Sequence, residues 1–234
     1  MDHDLEVFPD PAAVAARTAG YVAGMASAAV AAGSRFSLAV SGGQTRFAMF
    51  GALAAADMPW PSTELFQVDE RVAPAGETRP QPDPSAESRG AAAATVAPMP
   101  VKGEDLAAVA RANAAALSAR FDLVHLGRGP VGHTASLVRG DPVLAKTSAL
   151  VAVNRPFQGH RRMTLTYPAP ARAVRILWLV TGANKQQPLA RLLSGDRSIP
   201  AGRVGARHSL VVADAQEAER VRGVAPAHRD GDQG

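Results

Sequence analysis

Short apolar runs recur along the chain, each closed by small or polar residues and separated from the next by segments of helical composition. Residues 36–40 (FSLAV) stop at Ser41-Gly42-Gly43, residues 65–68 at Asp69-Glu70-Arg71, residues 121–126 at a glycine-rich turn, and residues 174–180 at Thr181-Gly182-Ala183-Asn184-Lys185. Residues 150–153 and 209–213 read as two further strands. Upstream, residues 11–32 read as a helix with proline in its first turn and Gly33 just past its end, and residues 44–56 also have helical composition. Runs this uniformly apolar, joined through helices, predict a parallel sheet covered on both faces and built from right-handed crossovers. Ligands of such sheets bind beyond the carboxyl ends of the strands. The loops carrying Ser41 to Thr45, Asp69 to Arg71, Gly127 to His133 and Gly182 to Lys185 are therefore expected to open on one rim and share a pocket.

Two stretches do not follow this rhythm. Residues 73–100, with prolines at 74, 80, 82, 84, 98 and 100, read as an irregular loop interrupted by a weak alanine-rich turn near 86–94. Residues 223–234 read as a frayed, disordered tail, which leaves a single α/β domain expected over residues 1–222. No internal repeat is present.

Composition narrows the chemistry. The chain of 234 residues has no cysteine, which excludes disulfides, thiolate metal sites and a cysteine nucleophile. The start, MDHDLEVFPD, is acidic and lacks the pattern of a secretory signal, and no stretch has the ~20 strongly apolar residues needed to span a bilayer. A cytoplasmic protein with no membrane association is expected. The formal charge is +4, and arginine supplies 22 of the 25 basic residues. The basic residues are scattered rather than gathered into a stripe with aromatics, so no nucleic-acid partner is expected and a small anionic ligand suits the balance. Nothing in the sequence sets an oligomeric state.

The stretch FDLVHLGRGPVGHTASL carries the most chemistry. Its glycines at 127, 129 and 132 allow close backbone approach to a ligand, and the turn is expected to present His133, a group able to act as general base near neutral pH, at the mouth of a helix. His125, inside the strand, reads as packed rather than reactive. SGGQT, at residues 41–45, follows a strand and precedes a helix, so its backbone N–H groups and the positive helix end can hold a phosphate, with the Ser41 and Thr45 hydroxyls adding donors. It is also compatible with a mere tight connection, and Arg46 either adds charge there or faces solvent. Asp69, Glu70 and Arg71 form either a local salt bridge or a grip on an acidic substrate, with the carboxylates orienting it. Lys185 offers a compact charge for phosphate. Residues 127–132 also satisfy G-x-G-x-x-G, but the next strand ends at Asn154-Arg155 without the acidic residue that holds an NAD ribose. An NADP-binding reductase using Arg155 stays open as an alternative, although it leaves SGGQT, the Asp69 triplet and Lys185 unexplained. No histidine has metal-ligand spacing, and no metal is assigned.

In this order the motifs closely resemble those of the 6-phosphogluconolactonase family: SGGQT for S-G-G-[ST]-T, VDERVAP for D-E-R-x-V-P, and FDLVHLGRGPVGHTASL for F-D-L-x-x-L-G-x-G-P-D-G-H-T-A-S-L, continuing through RRMTLTYPAPARAVRILWLVTGANK to IPAGRV. The resemblance implies a three-layer α/β/α sandwich with a mainly parallel, Rossmann-like sheet, as in ribose-5-phosphate isomerases and coenzyme A transferases. It also implies hydrolysis of 6-phosphoglucono-1,5-lactone, a small anionic sugar-phosphate lactone, to 6-phosphogluconate in the oxidative pentose phosphate pathway, with no cofactor. By the same resemblance His133 is the base that activates water. Ser41, Gly42, Gly43, Gln44, Thr45, Asp69, Glu70, Arg71, Gly129, Arg162 and Lys185 form the substrate and phosphate site. Two departures stand out. Val131 replaces the family's aspartate beside the histidine, and the proline-rich PQPDPSAES takes the place of a helical segment. A non-catalytic sugar-phosphate binding protein, with the pocket kept and the chemistry lost, is the other alternative.

Overall fold

In the computed structural model, residues 3–42, 44–72, 91–129, 131–182, 186–205, 207–216 and 218 are described. Seven strands form one sheet, in the order β1 (His3–Phe8), β10 (Ser209–Asp214), β9 (Arg175–Val180), β6 (Leu123–Gly127), β2 (Phe36–Val40), β3 (Thr63–Gln67) and β5 (Thr95–Ala97). Every pairing in it is parallel. Both faces are covered, which is why the strands read as continuous apolar runs. Phe36, Leu38 and Val40 point toward α1 (Pro11–Ala31) and α2 (Gln44–Leu53), where they pack with Val14, Val22, Met49 and Phe50. The alternate residues Ala39, Phe66, Val124 and Trp178 face the opposite layer, with Ala110 of α3 (Leu106–Ala116) and Leu189 and Leu192 of α5 (Gln186–Leu193). This is the three-layer arrangement expected.

The helix over residues 11–32 starts and stops as its sequence indicates. The Asp10 carboxylate caps the Ala13 N–H at 2.8 Å, Pro11 takes the first turn, and Gly33 leaves at φ +79°. The carboxyl ends of β2 and β6 lie side by side. From β2 the chain moves through β3 to β5 in one direction, and from β6 through β9 to β10 in the other. The boundary between β2 and β6 is thus the point where the winding reverses, the position at which sheets of this kind form a ligand crevice beyond the strand ends.

Two expectations need correction, and one strand was not anticipated. HDLEVF forms a strand, β1, which pairs with β10 at one edge of the sheet and is tied to α1 by a bidentate Arg17–Glu6 ion pair at 2.6 and 2.7 Å. Within residues 73–100, the part from 91 onward is ordered as a short 3₁₀ turn at Ala91–Ala93 and strand β5, paired with β3. Residues 73–90 and the tail lie outside the described residues. Finally, the strand expected at 150–153 (β7, Val151–Val153) is not in the main sheet. With β8 (Arg162–Leu165) and β4 (Asp69–Arg71) it forms a small antiparallel sheet in the order β4-β8-β7, joined to the main fold where the Leu165 N–H donates to the Val68 carbonyl at 2.8 Å.

Candidate active site at the sheet crevice

Two loops flank the winding reversal. After β2, Ser41 is buried, its N–H donates to the His125 carbonyl at 3.2 Å, and its hydroxyl has no hydrogen-bond partner among the described residues. Gly42 is exposed, Gln44 and Thr45 form the first turn of α2, and Gly43 and the side chains of Gln44 and Thr45 lie outside the described residues. After β6, the chain turns through Gly129, whose N–H donates to the His133 carbonyl at 2.9 Å, and Gly132 at φ +76°. Gly132 packs on Ile199, and its carbonyl accepts the Ala201 N–H at 3.0 Å, so the IPAGRV segment supports the turn from behind.

The His133 imidazole lies against the Cα of Gly129. A methyl group built there would sit 1.9 Å from the ring's Cε1. It also meets Phe157, edge to face at 5.6 Å between ring centres and 67°. His133, expected at the mouth of a helix, does not begin one. Ala135 takes φ +49°, the Thr134 hydroxyl turns back to the Gly127 carbonyl at 2.8 Å, and the Ser136 N–H donates to Thr164 Oγ1 at 3.2 Å, so the backbone is spent on the turn and on the small sheet.

That small sheet holds the remaining charged groups. Asp69 is enclosed. It accepts a hydrogen bond from the Ser136 hydroxyl and faces Arg162 at 3.9 Å. Burial pushes its carboxyl pKa up, opposed by the Ser136 bond and by the charges of Arg162, His133 and Arg46. Glu70 is also raised by burial, against the Arg71 N–H that its carboxylate accepts at 2.7 Å, and it is further held by the Gln67 amide at 3.0 Å. The Arg162 guanidinium lies 6.0 Å from the centre of the Phe157 ring. Arg71 is exposed at the end of β4, and Lys185 lies outside the described residues.

The structure thus brings His133, Gly129, Asp69 and Arg162 together and sets Ser41 and the start of α2 on the other side of the crevice. Sequence reasoning missed Ser136, Asn154, Phe157 and Thr164 as parts of this frame, and it left Arg46 undecided between site and solvent. Arg46 and Arg128 are 5% and 2% exposed, the first in the opening turn of α2 and the second just past the end of β6. Burial of an arginine is not written in local sequence. Among the described residues no group of three His, Asp or Glu is placed to hold a metal ion, and no helix is long and apolar enough to cross a membrane.

The dinucleotide alternative loses its structural basis. A Rossmann unit needs the glycine turn to open a helix and the next strand to lie beside β6. Here the turn leads to Ala135 and Ser136 in non-helical geometry, the neighbours of β6 are β2 and β9, and Asn154-Arg155 ends β7 in the other sheet.

His125 is packed, as expected, 1% exposed, with both ring nitrogens lacking a hydrogen-bond partner among the described residues. Burial, with Arg46 nearby, holds its pKa down to about 3. Its folded pKa is below the unfolded value, so the stability it confers is complete above about pH 6.5 and is lost as the pH falls toward 3, at about 1.4 kcal/mol per unit. His125→Leu is expected to flatten this dependence, losing about 2 kcal/mol less than the parent between pH 7 and pH 5 in urea unfolding. Parallel losses in the two proteins would contradict the buried neutral imidazole.

A family model described as glucosamine-6-phosphate isomerases/6-phosphogluconolactonase matches residues 9–213. A 6-phosphogluconolactonase of Rhizobium meliloti is 32% identical over 213 residues, covering 85% of this chain and 91% of that protein. One from Mycobacterium tuberculosis is 32% identical over 251 aligned positions, covering 94% of this chain and 99% of that protein. Among solved structures, a 6-phosphogluconolactonase from Shewanella baltica superposes with a TM-score of 0.80 at 26% identity, covering 92% of this chain and 98% of that one.

Proposed function

The chain belongs to the glucosamine-6-phosphate isomerase/6-phosphogluconolactonase family, and from that premise we propose that it hydrolyses 6-phosphoglucono-1,5-lactone to 6-phosphogluconate, the ring-opening step of the oxidative pentose phosphate pathway, with His133 as the base. The observation that carries this reading is the seat of the His133 imidazole on Gly129, at the point between β2 and β6 where the sheet opens. Neutral imidazole takes a proton from water as the water oxygen bonds to the lactone carbonyl carbon. The tetrahedral intermediate collapses, the bond from that carbon to the ring oxygen breaks, and the imidazolium returns its proton to that oxygen. One residue serves both half-steps, and the balance requires no redox or organic cofactor.

By likeness to the family the phosphate is assigned to the β2 side: the N–H groups at the start of α2, the Ser41 hydroxyl, Gly42, Gly43 and Thr45, with Arg71 and Lys185 adding positive charge. Arg162 faces the sugar. A phosphate held far from the reacting carbon fixes the carbonyl against the base, and its binding energy thereby lowers the barrier.

The test is turnover of the freshly made 6-phosphorylated lactone, corrected for spontaneous opening. The expected result is saturable hydrolysis, with no ammonia released from glucosamine 6-phosphate. Binding of 6-phosphogluconate without any turnover of the lactone would convert the assignment into the non-catalytic sugar-phosphate binder.

A further inference from the structure

Val131, the residue standing where the family pattern has aspartate, is 63% exposed. A carboxylate at that position would be surrounded by water, which screens its field. Asp69 is the opposite case. Its side chain, on β4, is only 14% exposed, and its Oδ2 accepts the hydroxyl of Ser136, three residues beyond His133 in the same turn. Ser136 is itself fixed twice more, through its N–H to Thr164 Oγ1 and through its carbonyl, which accepts Asn154 Nδ2 at 3.2 Å. Asn154 Oδ1 in turn accepts the Arg162 N–H at 2.7 Å. Arg162 approaches the same Oδ2 of Asp69 at 3.9 Å and reaches over Phe157, whose ring meets the edge of His133. The contacts form a closed circuit around the imidazole, from Asp69 through Ser136 and the His133 turn to Phe157, Arg162 and back.

A carboxylate in this position does little for stability, because burying it costs more than one hydroxyl and one guanidinium at 3.9 Å return. Resting on the reading of His133 as base, we propose that Asp69 is the positioning carboxylate of the His133 site in this chain, acting from β4 rather than from position 131. The charged groups around it are Arg162, His133, Arg46 and Glu70. Within that set the negative charge of Asp69 favours the imidazolium that forms during water attack, while Arg162 and Arg46 oppose it.

Asp69→Asn keeps the shape and leaves an acceptor for Ser136 but removes the charge. Two readouts are taken: the titration of the His133 C2 proton by NMR, assigned by its loss in His133→Ala, and kcat and KM against pH. The neutral ring is the active form, and a nearby carboxylate raises its pKa. The variant is therefore expected to move both the titration and the acid limb of kcat/KM down by about one pH unit, with kcat about tenfold lower and KM within about threefold. A merely structural contribution would scale the profile at every pH and leave its midpoint in place, and that outcome overturns the proposal. If Asp69→Asn does not fold, Ser136→Ala removes the hydroxyl that orients the carboxylate and is expected to shift the midpoint in the same direction; an unmoved midpoint there counts equally against it. Val131→Asp is expected to leave kcat within about threefold, and a rise of tenfold would return the role to position 131. Absence of lactone opening in the parent, with the titration still shifted by Asp69→Asn, would remove the proposed activity but not the Asp69–His133 coupling. Turnover in the parent with no shift would do the reverse.

Discussion

His133→Ala is expected to lower kcat for 6-phosphoglucono-1,5-lactone by about 10²–10⁴-fold, the range that a positioned acid–base group supplies, while KM stays within about threefold. The split follows from the geography of the site. The phosphate is assigned to the β2 side of the crevice and the base to the β6 side, so truncating the imidazole leaves the anchoring groups in place. Folding should be little disturbed, because His133 lies outside the apolar clusters on the two sheet faces and meets the Phe157 ring in an edge-to-face pair. Loss of such a pair costs on the order of 1 kcal/mol, well short of what unfolds a domain. Corrected initial rates at saturating lactone, beside a thermal melt of each protein, give the comparison. An alanine variant as fast as the parent would mean that water is activated by some other group.

Most of the strands were legible because this sheet is buried on both faces. FSLAV is buried throughout and RILWLV from its second residue onward, so each run announces itself without any need to judge alternation. β1 was not legible for the converse reason. At the edge of the sheet Leu5 and Val7 are exposed and charged residues intervene, leaving HDLEVF with no apolar run to read. β5 has three residues and takes its order from pairing with β3 rather than from its own composition. The small antiparallel sheet was beyond reach in a different way: β7 was expected as a strand, but its partners are fixed by a turn at Gln158-Gly159, both with positive φ, and by the return of β8 to β4.

The site divided along a similar line. His133 and the glycines around it are local, set by a turn whose chemistry is written in consecutive residues. Asp69 was singled out for its charge, but its partner Ser136 lies 67 residues away and its ionic neighbour Arg162 is on another strand. Such a circuit exists only after the chain has folded. Arg46 shows the same limit: the residue after SGGQT reads as well for solvent as for the crevice, and only tertiary packing buries it.

Gly129→Ala is expected to reduce kcat/KM by about 10²-fold, the penalty for displacing a catalytic group by roughly 1 Å, while shifting the unfolding midpoint only slightly. Gly129 has no positive φ, so the backbone tolerates alanine. The added methyl group instead meets the imidazole itself, 1.9, 2.3 and 2.4 Å from Cε1, Nε2 and Nδ1. No adjustment of a few tenths of an ångström relieves three such overlaps, and the ring must swing out of its seat between Gly129 and Phe157. The folded state loses little by this, since the displaced atoms are the end of one side chain. Gly132 provides the contrast within the same loop. There φ is +76° and the new methyl would lie 2.8 Å from Ile199 Cβ, close to backbone, so Gly132→Ala is expected to destabilise the fold along with the site. Comparing melts with steady-state rates for the pair separates the two effects. Full activity in a stably folded Gly129→Ala protein would show that the imidazole works from some position other than the one it occupies against this glycine.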